Sequence, residues 1–137
     1  MKTSELQALS EAIARRAKLT ELLVGTTITE RRGLDLSIVP SDARHAGLVV
    51  EIDSKDASGD RVKGVRVRLA QPEDANWDQL EARFGPFVQV AELLDAPDVP
   101  PTRVGIARPD GALPQTVRIG IDREGKVTSF VVRERYE

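Results

Sequence analysis

Apolar positions along the chain change period several times, and each change marks an element. Near the start Leu6, Leu9, Ile13 and Ala17 recur at helical spacing, while Glu5, Glu11, Arg15, Arg16 and Lys18 fall off that stripe. The pattern predicts an amphipathic helix with one buried face. Ser4 with Gln7 reads as a capping box. Leu22 and Leu23 extend the helix, and Gly25 reads as its C-terminal cap. From Leu34 the period falls to two. Leu34, Leu36 and Ile38 alternate with Asp35 and Ser37 until Pro40. Leu48, Val50 and Ile52 alternate within Gly47–Asp53, and Val65, Val67 and Leu69 oppose Arg66 and Arg68. These are three strands with one wet face. Gly64 breaks the alternation, where a bulge is expected.

The sequence then repeats the order. Pro72, Glu73 and Asp74 read as a helix start, Trp77, Leu80 and Phe84 as its buried stripe, and Gly85-Pro86 as its stop. Phe87 to Leu94 reads as a further helical turn, and Asp95–Pro101, with Pro97, Pro100 and Pro101, as a stiff loop. Thr102–Ala107 is a strand, Pro109-Asp110-Gly111 a turn, and Val117, Ile119 and Ile121 an alternating strand. Arg123-Glu124-Gly125 turns the chain into a last strand from Lys126 to Arg135, closing a hairpin.

Two helix-then-three-strand runs suggest a duplication. Pro40, Ala43, Leu48, Val50, Ile52 and Asp53 match Pro109, Ala112, Val117, Ile119, Ile121 and Asp122 at a constant separation of 69 (109 − 40 and 122 − 53). Past the turn, Arg61–Arg68 matches Lys126–Arg133 at 65 (126 − 61), the change falling in a loop, where insertions are tolerated. The expected fold is α+β: two similar α-β-β-β halves, about 1–70 and 71–137, with helices packed on one face of antiparallel sheet. Halves of this size are marginal alone, so residues 1–137 are expected to form a single compact unit.

Charge and composition narrow the function. Twenty basic against 22 acidic residues leave a net charge of −2, without the basic excess of a nucleic-acid coat. One Trp, one Tyr and three Phe do not furnish a base-stacking platform. Without cysteine there is no disulfide, thiolate metal site or cysteine nucleophile. Charges spaced through Met1–Gly25 leave no apolar signal core, and no apolar run is long enough to span a membrane. The expectation is a cytoplasmic protein of bacterial type, with neither nucleic acid nor membrane as partner.

The candidate chemistry is thin. His45, the single histidine, has only Ser41 and Asp42 as polar neighbours and reads as a solvated loop residue. No nucleophile elbow, phosphate loop or HExxH motif is present, so no catalytic residue and no cofactor are expected. Glu51, Asp53, Asp56 and Asp60 surround one turn, but Ser54, Lys55 and Ala57 break the spacing of a Ca²⁺ loop. They read as a solvated turn, with no metal. Trp77 reads as a core anchor beside Leu80 and Phe84. Arg66, Arg68, Arg118, Arg133 and Arg135 lie opposite or off the apolar alternation. On one sheet they form an arginine stripe suited to carboxylates and to protein interfaces. A wet sheet face also carries such residues when they pair with acids, here Glu51 or Glu134.

Phe84-Gly85-Pro86, followed by the hairpin around Ile121–Val127, resembles the small helix-plus-antiparallel-sheet units of bacterial envelope assembly lipoproteins and β-lactamase inhibitor proteins. The likeness covers the second half and implies an architecture, tandem in the inhibitors. The chain departs from the lipoproteins in having no cysteine. With chemistry missing and a wide charged face present, the leading expectation is a non-enzymatic protein-binding module of inhibitor, immunity, chaperone or adaptor type. Its partner would present an acidic surface, or a second copy would pair edge strands as a homodimer. The alternative is a small-ligand binder or enzyme with a pocket between the halves, near Trp77 and the 95–101 loop.

Overall fold

A computed structural model of the chain describes residues 2–22, 28–40, 42–53, 61–90, 102–109 and 113–134. Helix α1 spans Thr3–Ala14. Glu5, rather than Ser4, caps its start: the Lys2 N–H donates to Glu5 Oε2 at 3.0 Å, as in the acidic half of a capping box. The helix ends before its apolar stripe does. Arg16 is left-handed at φ 61°, its N–H reaches Ile13 O at 3.1 Å, and the Ala17 N–H reaches Ala12 O at 3.0 Å. These bonds close a Schellman turn with arginine where glycine is usual. Ala17 is buried, but its carbonyl now accepts the Val62 N–H at 3.0 Å and ties the turn to the sheet. A single turn, α2 (Leu19–Leu22), follows. Gly25 lies outside the described residues.

Strands β1 (Ile28–Arg32), β2 (Asp35–Ile38), β3 (His45–Ile52) and β4 (Val62–Glu73) form one meander. Helix α3 (Trp77–Phe84) leads to a second, of β5 (Val88–Val90), β6 (Thr102–Ala107), β7 (Gln115–Ile121) and β8 (Val127–Glu134). All eight join in one antiparallel sheet, in the order β1-β2-β3-β4-β8-β7-β6-β5. The fold is α+β, but among the described residues each meander has four strands rather than three. The unforeseen strands are the outermost. β1 is exposed at every position, so no alternation marks it. In place of the helical turn read after Phe87, the β-branched Val88 and Val90 pair with Val104 and Thr102. Residues 91–101, with the proline loop, lie outside the described residues.

Pro72 lies in β4, not at a helix start. The β4–β8 ladder is interrupted between Arg68 and Glu73, so Pro72 there withholds no ladder donor. The helix begins only at Trp77, where Asn76 Oδ1 accepts the Gln79 N–H at 3.1 Å. Val62 and Val65 are both buried in the core although they are three positions apart, which strict alternation would put on opposite faces. The cause is a bulge: Glu51 pairs with Gly64 and Ile52 with Val62, leaving Lys63 extra. β7 and β8 carry the same irregularity. Gly120 pairs with Ser129 and Ile121 with Val127, leaving Thr128 extra. Each β3–β4 pair from Gly47/Arg68 to Ile52/Val62 thus has a counterpart in β7–β8, from Thr116/Arg133 to Ile121/Val127. The closing bonds correspond too, Asp53 N–H to Arg61 O at 3.0 Å and Asp122 N–H to Lys126 O at 2.8 Å.

α1 packs on β4 and β8, and α3 on β6 and α1, so both helices cover one face. Leu6 and Ile13 of α1 and Leu80 and Phe84 of α3 share one core with Val65, Val67, Ile119, Phe130 and Val132. Each such side chain contributes about 1.5–3 kcal/mol by leaving water. Buried Ser10 Oγ and Gln115 Oε1 lie 2.6 Å apart, and Gln115 Nε2 donates to Ser10 O at 2.9 Å, fixing α1 on β7. No described helix is long and apolar enough to cross a membrane.

Candidate functional site

The strand positions opposite the core form the sheet's uncovered face. The registers place Ser37, Val49, Arg66, Val131, Arg118, Val104 and Val88 in one row across it. Arg68 and Arg133 lie on the same face, each two residues along its strand from that row. Arg66, Arg68, Arg118 and Arg133 are all exposed, so the structure brings these four expected arginines onto one face. Arg135 lies outside the described residues. The first meander lends the face Asp35 and Glu51. The second lends Val88 and Ile106, both exposed.

The arginines differ in their partners. Arg133 Nε and Nη2 donate to Glu51 Oε2 and Oε1 at 2.8 and 2.9 Å, a two-pronged fork. Gly64 lies between them in the row, and a Cβ there would sit 3.2 Å from Arg133 Cγ. The bulge brings Lys63 Nζ within 3.3 Å of the same Glu51 carboxylate. Arg118 also has an interaction of its own. Arg66 and Arg68 make no ion pair among the described residues. Arg68 lies along Gly47, where a Cβ would be 3.6 Å from Arg68 Nε. Two open depressions meet at Arg66. One of about 180 Å³ touches Glu51, Gly64 and Arg133. The other, of about 420 Å³, runs between Ser37, Gly47, Val49 and Arg68.

Glu134 is not on this face. It is buried, accepting Arg61 Nη2 at 2.6 Å, while Arg61 Nη1 holds the equally buried Asp53 at 2.7 Å. Asp53 is therefore an internal counter-ion rather than part of a solvated turn, and Asp56 and Asp60 lie outside the described residues. The bulged, alternating strands gave no sign of this network, because Arg61 and Glu134 lie 73 residues apart in sequence.

A second network went unforeseen. Arg44 spans two carboxylates, with Nη1 and Nη2 on Glu5 at 2.7 and 3.1 Å and Nη2 and Nε on Glu73 at 2.7 and 3.1 Å. It ties the start of α1 to the end of β4. Hydrogen bonds from Arg44 hold the Glu73 carboxyl down at about 2. Burial pushes Glu5 up, but hydrogen bonds from Arg44 and the Lys2 N–H outweigh it, and the net direction is down. His45 begins β3 instead of lying in a solvated loop. Its ring meets Phe130 edge-on at 6.5 Å, and its Nε2 is buried without a hydrogen-bond partner. Glu5, Asp42 and His45 bring one ligand atom each within 4.8 Å of one another, but the Arg44 guanidinium already occupies both Glu5 oxygens.

Trp77 is half-buried rather than a fully enclosed anchor. Phe87 meets it edge-on at 5.9 Å and the Arg103 guanidinium lies 4.1 Å from its ring centre. Where the two meanders join, β4 and β8 hydrogen-bond directly, with Val65, Val67, Phe130 and Val132 buried along the seam. No protein-family model, curated protein or solved structure matches the chain.

Proposed function

We propose that this chain is a non-enzymatic protein-binding module, of inhibitor, immunity or adaptor type, that meets an acidic partner through its uncovered sheet face. The observation that carries the reading is the pair Arg66 and Arg68: exposed, on the central strand β4, and without an ion pair among the described residues. Arginine suits this role because its planar fork binds carboxylates with little loss of freedom, and it is enriched where proteins meet. A central strand, hydrogen-bonded on both sides, holds such side chains on a rigid base, which lowers the ordering cost of association. We further infer that the chain arose by internal duplication, with halves of about 1–70 and 71–137. The matched registers and the bulge at the same place in β3–β4 and β7–β8 support this. Pairing of edge strands in a homodimer is less favoured, because β1 carries Glu30, Arg31 and Arg32 in the open, and charged edges resist strand addition.

The test is affinity capture from the native host's lysate, comparing the wild type with the Arg66→Glu, Arg68→Glu variant and identifying bound proteins by mass spectrometry. An acidic protein retained by the wild type and lost by the variant supports the proposal. Equal retention by both overturns it.

A further inference from the structure

Two rows that mirror each other across the β4–β8 seam differ in one residue that matters. In the first row Glu51, Gly64 and Arg133 are neighbours, and the carboxylate reaches over the glycine to hold the guanidinium at 2.8 Å. In the second row Gly120, Ser129 and Arg68 occupy the corresponding places. The arginine is kept and the carboxylate is replaced by glycine. A Cβ on Gly120 would come within 2.5 Å of Ser129 Oγ, so a side chain there would require the serine hydroxyl to turn. The geometry points to a recognition site completed from outside: the Arg68 guanidinium, which lies along Gly47 with no carboxylate beside it among the described residues, takes a carboxylate of the partner protein as Arg133 takes Glu51. This rests on the reading of the uncovered face as the binding surface, and it names what that surface recognises.

Arg66 extends the site. It stands two residues from Arg68 on the same strand, roughly 7 Å away, and both line the depression of about 420 Å³ beside Gly47 and Val49. The partner feature that fits is a pair of Asp or Glu side chains at that spacing, as on alternate residues of an extended segment, one carboxylate per fork. Charge complementarity selects this occupant. The chain's net charge of −2 gives no general attraction for acids, so recognition depends on these two guanidiniums.

The experiment uses the full chain and hexaglutamate as probe, following the arginine Nε–H resonances by NMR. The expected result is saturable shifts at Arg68 and Arg66 several-fold larger than at Arg133, whose fork is already filled. The shift at Arg68 should vanish in the Gly120→Glu, Ser129→Gly variant, which rebuilds the Glu51–Gly64 arrangement and supplies an internal carboxylate to which Arg68 turns from its place along Gly47. The single variant Arg68→Gln, at an exposed position, must weaken the Arg66 response several-fold and so covers failure of the double variant to fold. Equal shifts at Arg133 and Arg68, no shift at Arg68, or an equal response to inorganic phosphate would each overturn the carboxylate site. Partner capture separates this from the broader reading. Capture lost with Arg66→Glu, Arg68→Glu, beside an Arg68 silent to hexaglutamate, removes this site and leaves the face. Capture unchanged by that variant removes both.

Discussion

At the hairpin end of the sheet and at its rim, arginines are each paired with two carboxylates. Arg61 is 14% exposed and holds two carboxylates that are 8% and 4% exposed. Arg44 holds Glu5 and Glu73 together at the rim. At the centre of the uncovered face, Arg66 and Arg68 hold nothing among the described residues. The difference follows from solvation. A charge withdrawn from water must be matched, because an orphaned buried ion costs several kcal/mol, whereas an exposed guanidinium keeps its hydration and loses little by standing alone. The paired arginines therefore hold the fold together, and the open ones contribute little to its stability. Arg133 stands between the two groups: it is on the open face, 53% exposed, yet internally paired.

Substitutions can break this division, starting with the largest effect. Arg61→Ala strands the buried Asp53 and Glu134 carboxylates and is expected to lower the unfolding free energy by about 3–5 kcal/mol, read by denaturant titration. Arg44→Ala removes hydrogen bonds to two partly exposed carboxylates and should cost about 1–2 kcal/mol after solvent screening.

That second variant also has a pH signature. Glu73 is held at about 2 in the fold against an ordinary value of 4.5. A lowered folded-state pKa means the contribution is complete above about 4.5 and is lost as pH falls toward 2. The acid limb of wild-type stability should therefore be steeper across that window than the limb of Arg44→Ala, and parallel limbs would refute the assignment. Arg133→Ala should cost about 0.5 kcal/mol, as exposed pairs do. Arg66→Ala and Arg68→Ala should stay within about 0.5 kcal/mol of wild type. A larger loss at either would mean it has a structural partner and is not available for binding.

The parts of this division that rest on local pattern were legible in the sequence. Alternation marked β3, β7 and β8 because one face of each is buried, and Gly64 marked the bulge because the alternation fails beside it. The shared face of Arg66, Arg68, Arg118 and Arg133 follows from the same period of two. β1 escaped because Ile28–Arg32 is exposed throughout and has no apolar rhythm. β5 escaped because three residues are too few to show a period, and what defines it is pairing with β6. The early end of α1 was hidden by Arg16, which adopts the left-handed turn without being a glycine. Glu51 was legible as a partner for the wet-face arginines, and Arg133 takes it, but the partners of Arg44 and Arg61 were not. Arg44 finds Glu5 and Glu73 at 39 and 29 residues' distance, and Arg68 is paired with Ser129 and Gly47 only once the β4–β8 and β3–β4 registers are set.

The most direct test of the division is a parallel measurement on Arg68→Ala and Arg133→Ala, with unfolding free energy and affinity for the captured partner determined for each. Arg68→Ala is predicted to leave unfolding unchanged and to weaken the partner about tenfold or more, equivalent to about 1.4 kcal/mol. Arg133→Ala is predicted to do the reverse, losing about 0.5 kcal/mol of stability with affinity nearly intact. If the two variants behave alike, or if Arg68→Ala destabilises the fold while binding persists, the division between paired and open arginines is wrong.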